Sequence, residues 1–334
     1  MSPFAAAPDP LLILILAIGL DGLLGDLPWL FRRIPHPVAA VGQLIGILDR
    51  ILNRPQRPAV LRATLGALMA LGLVVLAAGS GLLIAAACRA LPWGWLFETF
   101  CVAVLLAQRS LFEHVYDVGV ALRDTGLEAG RYAVSRLVGR DPTSLDRAGV
   151  ARAAIESLAE NFSDAVVAPA LWYALLGLPG LFVYKTVNTL DSMVGYRTER
   201  HRAFGMVSAR LDDLLNLIPA RLAALLLALA APFVPGGRPL AAFLTPWRDA
   251  RHHRSPNSGW PESACAGALG LALGGPRRYP GLVVEEKWMG RGRQEAEVRD
   301  IFRALHLFSV GCLLNAGMMI LLLWLASLLP GLKG

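Results

Sequence analysis

The sequence predicts an all-α fold: a multi-pass integral membrane helical bundle with one broken or re-entrant segment and helical cytoplasmic loops. Three observations carry that expectation. Hydrophobic residues make up 55% of the 334 residues against 17% charged, and mean hydropathy is +0.51, a balance outside that of soluble domains. The apolar residues sit in blocks. The net charge of +7 comes almost wholly from the segments between those blocks.

The first block, within residues 10–25, lies between Asp9 and Asp21 with nothing basic before it. It lacks the charged n-region of a cleaved signal and reads as a retained anchor. Residues 63–88 run 26 positions without Asp, Glu, Lys or Arg, and residues 305–329 run 25 with only His306 and Asn315 as strongly polar interruptions. Both exceed the roughly 20 residues a helix needs to cross about 30 Å of hydrocarbon. Residues 92–107, 165–184 and 214–235 are further candidates, the first carrying Glu98 and the last Arg221.

The loops are basic throughout. Lys and Arg number six between Arg32 and Arg62, seven between Arg109 and Arg152, five between Lys185 and Arg210 and eleven between Arg238 and Arg303. The positive-inside rule draws each toward the cytoplasm, yet strict alternation through every candidate span sends at least one outside. An interrupted span resolves the conflict. Leu176-Gly177-Leu178-Pro179-Gly180 breaks residues 165–184 near the middle, and irregular backbone at that depth needs a protein or wet surrounding, so a pocket is expected beside it. The chain thus reads as one membrane domain of the cell (inner) membrane. The polar stretches 109–164, 185–213 and 238–304 then carry the function on the cytoplasmic side. The first reads as helical, with Leu111, Val115, Val118 and Leu122 at helical spacing and Asp141-Pro142-Thr143-Ser144 as a turn, while 232–239 and 274–281 read as loops.

Several function classes are excluded. Cys88, Cys101, Cys265 and Cys312 and the six histidines form no zinc-type spacing. There is no GxxxxGK[ST] and no GxGxxG fingerprint. Basic residues dispersed between apolar blocks suit a membrane surface or a small anionic ligand, not nucleic acid.

Four segments carry chemistry. Glu156, Glu160 and Asp164 stand at i, i+4 and i+8, which puts three carboxylates on one helix face. A bound divalent cation such as Mg²⁺ accounts for that repulsion; a solvated face paired with Arg152 accounts for it equally. Next, Lys185, Asn188 and Ser192 share a face with Asp191 beside them, followed by Tyr196 and Arg197. Lys185 suits phosphate oxygens, or it snorkels at the membrane boundary. In the third, Asp212 and Asn216 are one turn apart, after Arg210 and beside Asp213, and Arg221 enters the apolar run. An ionisable residue there needs a counter-charge, for which Asp212, Asp213 or a bound anion serve. The fourth is Ser255-Pro-Asn257-Ser-Gly-Trp260-Pro-Glu262, a turn with an aromatic plate and a carboxylate.

With these segments on the page, the chain resembles the adenosylcobinamide-phosphate synthase family of cobalamin biosynthesis, of the CbiB/CobD type. The resemblance runs in order along nearly the whole chain. It begins with Asp21-Gly-Leu-Leu-Gly-Asp26 and Pro35-His36-Pro37-Val38, continues through Glu156 to Asp164 with Ala168-Pro169, and takes in Tyr184 to Tyr196. It closes on Ser208 to Asp213, Ile218 to Arg221, Ser255-Pro-Asn257 and Gly259-Trp260-Pro261. Leu27 and Asp49 depart from the family's usual residues.

The resemblance implies an acid–amine ligase. It would join a propionate carboxylate of adenosylcobyric acid to (R)-1-amino-2-propanol or its O-phosphate, using ATP and Mg²⁺ (or another divalent cation). The roles that fit it are Mg²⁺ on Glu156, Glu160 and either Asp164 or Asp191; ATP phosphates on Lys185 and Arg197; a substrate carboxylate or phosphate on Arg210 or Arg221; and Asp212 or Asp213 as the general base. Asn161, Asn188, Ser192, Tyr196, Asn257, Trp260 and His36 are carried over as substrate-binding. Other enzymes of the cobalamin pathway are expected partners beside the lipid bilayer. The contrary classes are a membrane transporter, which also uses broken helices and an intramembrane arginine, and a non-catalytic scaffold for corrin enzymes.

Overall fold

A computed structural model describes residues 8–25, 27–138, 142–279, 282–284 and 287–328; Asp26, Asp141, Gly281 and Leu329, each part of a segment read above, lie outside them. In chain order the helices are α1 (Pro10–Leu24), α2 (Pro28–Phe31), α3 (Pro37–Leu52), α4 (Ala59–Ala90), α5 (Gly94–Leu105), α6 (Gln108–Val120) and α7 (Leu127–Val134). They continue with α8 (Arg147–Asn161), α9 (Ala168–Val194), α10 (Met206–Leu215), α11 (Leu217–Ala230), α12 (Pro239–Asp249), α13 (Gly259–Leu269) and α14 (Val298–Leu328). Wider π-helical turns cover Ala121–Thr125 and Phe162–Val167.

Among the described residues four helical runs are long and apolar enough to cross a membrane, Ala59–Ala90, Gly94–Thr125, Arg147–Val194 and Val298–Leu328, and the bent pair Met206–Leu215 with Leu217–Phe233 makes a fifth if it crosses as one broken span. The expected segments 63–88 and 305–329 fall inside the first and last. Their outward residues face away from protein, as lipid-facing side chains do: Val75 is 71% and Leu83 72% exposed on α4, and Leu313 71% on α14. The N-terminal segment forms α1, capped by the Asp9 carboxylate on Leu11 N–H at 3.0 Å, but its 15 residues fall short of a full crossing. Residues 214–235 form α11, apolar but shorter than a span by itself. The polar α10, with Arg210, Asp212 and Asp213 in ten residues, is no span by itself; only together with the helix that follows, across a 46° bend, does it pass as one broken span.

The chain folds as two compact units where the sequence reads as one domain. The first comprises residues 1–107, 168–216 and 319–334, the second 108–167 and 217–318. In the first unit α4 packs against α9, with α3, α5 and α10 around them. α9 is broken where Leu176–Gly180 predicts it. Gly177 adopts φ 64°, ψ −154°, a region that favours glycine, and the helix resumes through Pro179. α4 meets that kink closely: a Cβ on Gly81 would stand 2.7 Å from the Pro179 Cα. The loop after α9 is fastened by a polar knot, in which Arg200 donates to Asp49 Oδ2 at 2.6 Å, and Asn53 donates to Asp49 Oδ1 at 2.8 Å and to the Arg200 carbonyl at 3.0 Å. Burial pushes the Asp49 carboxyl up, but these hydrogen bonds and the Arg200 charge outweigh it and hold it below its usual range.

In the second unit α8 is started by Asp146, which accepts from Gly149 N–H at 2.7 Å. Leu111, Val115, Val118 and Leu122 are buried, as their spacing predicts, and join the core around α8, α11 and α13. Residues 238–304 hold more structure than a loop. They contain α12, α13 and four short strands, β1 (Leu273–Gly274), β2 (Arg277–Tyr279), β3 (Leu282–Val284) and β4 (Trp288–Met289), paired antiparallel as β1 with β4 and β2 with β3. Strands of two or three residues leave no periodicity to read, so 274–281 passes for a loop in the sequence.

Gly81→Val is expected to destabilise the protein by about 1–3 kcal/mol by forcing α4 away from the kink. A thermal unfolding midpoint in detergent unchanged from wild type would refute this packing.

Candidate functional site

The first unit holds a cluster built from α9 and α10. Lys185, Asn188, Asp191 and Ser192 follow one another on the second half of α9, and Asp212 and Asp213 sit on α10. The two helices are tied at one joint. Tyr184 OH donates to Asn216 Oδ1 at 3.0 Å, Asn216 Nδ2 donates to Asp212 Oδ2 at 3.0 Å, and Asn188 Nδ2 approaches Asp212 Oδ1 at 3.4 Å. On the near side of the kink, Trp172 Nε1 donates to the Leu215 carbonyl at 3.2 Å. Tyr184 and Asn216 are both buried. Neither was singled out as a site residue, although Tyr184 immediately precedes Lys185 and Asn216 stands one turn after Asp212.

This joint sets the chemistry of Asp212. Burial pushes its carboxyl up and the charge of Asp191 adds to that, while the hydrogen bonds from Asn216 and Asn188 pull it partway back, leaving it at about 7. Asp213 is raised by burial too, an effect that the Arg210 and Arg197 charges oppose. The Arg210 guanidinium lies 3.7 Å from Asp213 and is well exposed. Ser192 and Tyr196 are exposed as well, and the Ser192 hydroxyl donates to the Asn188 carbonyl at 2.9 Å.

Beside the broken segment lies the pocket expected there, a cavity of about 350 Å³. Lys185, Thr186 and Thr189 of α9 line it with Pro37, Val38 and Leu73 among its apolar walls. That size takes a small ligand or one arm of a larger one, since sites for drug-sized molecules run to about 300–1,000 Å³. His36 has a structural task instead of facing this cavity. Its Nδ1 accepts from Val38 N–H at 3.2 Å to cap α3, and its Nε2 meets the Val104 carbonyl at 3.2 Å.

The second unit holds a separate cluster around Ser255–Trp260. Ser258 Oγ donates to Glu160 Oε1 at 2.9 Å, and Asn257 Oδ1 accepts from Arg221 Nη1 at 2.6 Å. Arg221 also donates to the Pro256 carbonyl at 3.1 Å and lies 4.7 Å from the Trp260 ring centroid. Its polar partners within the protein are therefore neutral oxygens and not the Asp212 or Asp213 carboxylates to which the sequence pointed. Asn161 Nδ2 donates back to the Ser157 carbonyl at 2.9 Å within its own helix.

The expected metal trio is not assembled. Among the described residues no three His, Cys, Asp or Glu side chains stand together as a metal site. Glu156 is buried and accepts from Gly274 N–H at 2.7 Å, Glu160 is held by Ser258, and Asp164 falls in the π-helical turn, which rotates it off the i, i+4, i+8 face. An all-protein Mg²⁺ cage does not fit these three. A Mg²⁺ delivered with phosphates needs only one or two carboxylates. Asp191, whose charge already reaches Asp212, fits that lesser demand.

The chain matches the CobD/Cbib protein family over residues 14–308. It is 49% identical over 315 residues to the cobalamin biosynthesis protein CobD of Brucella melitensis biotype 1, covering 93% of this chain and 96% of that one. It is 50% identical over 310 residues to the protein of the same name from a Sinorhizobium species (92% and 96%), and 46% over 300 residues to that of Rhodobacter capsulatus (89% and 92%). No solved structure matches the chain.

The role of Glu156 as the acceptor for a buried N–H is separable from a role in holding a cation. Glu156→Ala is expected to cost about 1–3 kcal/mol by stranding the Gly274 N–H, and Glu156→Gln, which keeps an acceptor oxygen, to recover most of it. Equal losses of thermal stability in both variants would contradict the structural role.

Proposed function

The chain belongs to the CobD/Cbib protein family, and from that membership we propose that it acts in cobalamin biosynthesis as an ATP-dependent acid–amine ligase, an adenosylcobinamide-phosphate synthase. It joins a propionate of adenosylcobyric acid to the amine of (R)-1-amino-2-propanol or its O-phosphate. The family relatives carry cobalamin biosynthesis in their name. The observation that carries the chemistry is Asp212, a carboxylate held at about 7 between two amides.

Amide formation from a free carboxylate needs two things. The carboxylate oxygen must lose its poor leaving-group character, and the incoming amine must shed a proton. ATP supplies the first, by transfer of its γ-phosphoryl group to the carboxylate with release of ADP. The amine nitrogen then attacks the acyl carbon, phosphate leaves, and one proton passes from nitrogen to a base. Asp212 suits that last task, because a base works best with a pKa near the operating pH. Asn216 and Asn188 fix the orientation of its two oxygens. Lys185, on the wall of the cavity beside α9, supplies a point charge for phosphoryl oxygens. Asp191 would hold a phosphate-bound Mg²⁺. Arg197 and Arg210, both exposed on the same unit, present planar forks to a substrate phosphate or carboxylate.

The basic loops support a site facing the cytoplasm from the inner membrane. A bulky corrin bearing the reacting carboxylate would reach it from soluble enzymes of the pathway. The decisive measurement is ADP release by the purified protein. Release that requires both adenosylcobyric acid and the amine supports the ligase; flux of either compound into proteoliposomes without nucleotide turnover would replace it with a transporter. Lys185→Ala is expected to lower amide formation at least about tenfold while membrane insertion persists.

The pH profile follows from Asp212. Below its pKa the carboxyl holds a proton and cannot accept one, so kcat/KM should climb through a limb centred near pH 7. Asp212→Asn should abolish that limb and lower turnover about 100-fold or more. Asn216→Ala removes a hydrogen bond that stabilises the ionised form, so it should move the limb to higher pH. A limb unmoved by Asn216→Ala would dissociate Asp212 from the base.

A further inference from the structure

In the second unit, α12 buries Ala242, Thr245, Pro246 and Asp249 against its neighbours. Gly267 on α13 lets it lie close, since a Cβ there would meet the Ala241 carbonyl oxygen at 2.4 Å. Its other side is bare and apolar. Leu240 is 69% exposed, Phe243 48%, Leu244 52% and Trp247 69%, and their positions are i, i+3, i+4 and i+7. Eleven residues make a helix about 17 Å long, too short to cross hydrocarbon. Arg238 stands at the residue before its start and Arg251 just past its end, while Arg248 is spent on Asp249. Apolar aromatics and leucines on one face, with arginines at the margins, describe a helix lying in the membrane interface.

Behind Phe243 and Trp247 opens a cavity of about 500 Å³, walled by Leu217, Ile218 and Leu225 of α11 and by Trp260. Among the described residues Arg221 is the one charged group on its wall. The guanidinium is fixed by Asn257, the Pro256 carbonyl and the Trp260 ring, none of them anionic, and among the described residues it enters no ion pair. Trp260 is itself held edge-on by Trp247 at 5.1 Å. A positioned, uncompensated cation in an apolar recess selects an anion that brings its own hydrocarbon. A free phosphate would set its remaining oxygens against leucine and phenylalanine, which costs several kcal/mol per unpaired polar group. A phosphodiester bearing acyl chains meets both demands at once.

We propose that the recess between α11, α12 and α13 binds an anionic phospholipid, its phosphate on Arg221 and an acyl chain along Phe243 and Trp247, with α12 seated in the bilayer interface. The surrounding arginines favour a lipid of net negative charge over a zwitterionic one.

The test uses the full-length protein, purified in detergent and titrated with phosphatidylglycerol or phosphatidylcholine under native mass spectrometry. Wild type should retain phosphatidylglycerol with a preference of about tenfold, Arg221→Lys should keep most of it, and Arg221→Gln should lose it. On unaltered protein, a phosphatidylglycerol with a photoreactive acyl chain should label peptides covering residues 217–225 and 240–247. Labelling confined to α4 and α14 would overturn the proposal, as would undiminished preference in Arg221→Gln. Displacement of the lipid by millimolar inorganic phosphate would reassign the recess to a free anion. A dimer that Leu240→Glu dissociates would show that a second copy, not lipid, covers this face.

Discussion

Asn216 is the residue on which the chemistry of the first unit turns. It is buried, and a buried amide must place both ends on partners or lose stability. It does so by accepting from Tyr184 on one side and donating to Asp212 on the other. Trp172 holds the carbonyl of the preceding residue. In an unbroken helix Trp172 and Tyr184 would lie about 18 Å apart along the axis and point about 120° away from each other. That both reach adjacent residues is the work of the kink at Gly177. A break tolerated only because neighbouring protein shields it therefore becomes the device that aims two side chains at one joint, and the joint in turn fixes the carboxylate with the shifted pKa.

The second unit solves a comparable problem with a different device. The short segment Ser255–Trp260 gives consecutive side chains to opposite tasks: Asn257 turns to a cation on α11 and Ser258 to an anion on α8. Both pairings join a charged group to a neutral one. Each charge is thereby oriented without being cancelled, which is the condition for it to act on a ligand. Where the chain needs only architecture it cancels charge outright. Asp300, fully buried, receives Arg293 at 2.7 Å and Arg303 at 3.2 Å, and its Oδ2 also accepts the Glu297 N–H at 2.9 Å to start α14.

What could be read from the sequence follows the same division. The spans at 63–88 and 305–329 were legible because lipid imposes composition over 20 or more residues, and the break at 177–180 because glycine and proline mark backbone geometry directly. The polar motifs located the residues of both clusters, but not their partners. Arg221 is the clearest case. Sequence distance favours carboxylates eight and nine residues upstream, whereas the fold gives it an amide 36 residues downstream. The carboxylate series 156, 160, 164 failed for a local reason, because regular helical spacing does not foresee a π-helical turn starting at Phe162. His36 also caps α3 by accepting from Val38 N–H, a task that its place in a motif does not reveal.

The net charge of +7 then takes on a different meaning from the one its size suggests. Counting arginines says little, because many are spent on carboxylates: Arg200 on Asp49, Arg248 on Asp249, Arg293 and Arg303 on Asp300. Those pairs fasten loops to helix ends and leave no field for a ligand. The informative cations are the ones whose partners are neutral or distant. Arg221 is held by oxygens without charge, and Arg197 opposes Asp213 only through space. A protein that handles anionic substrates beside an anionic surface needs such surplus positive charge at chosen points, with the rest neutralised. The arrangement of counter-charges, which sequence spacing does not reveal, is what separates the two classes.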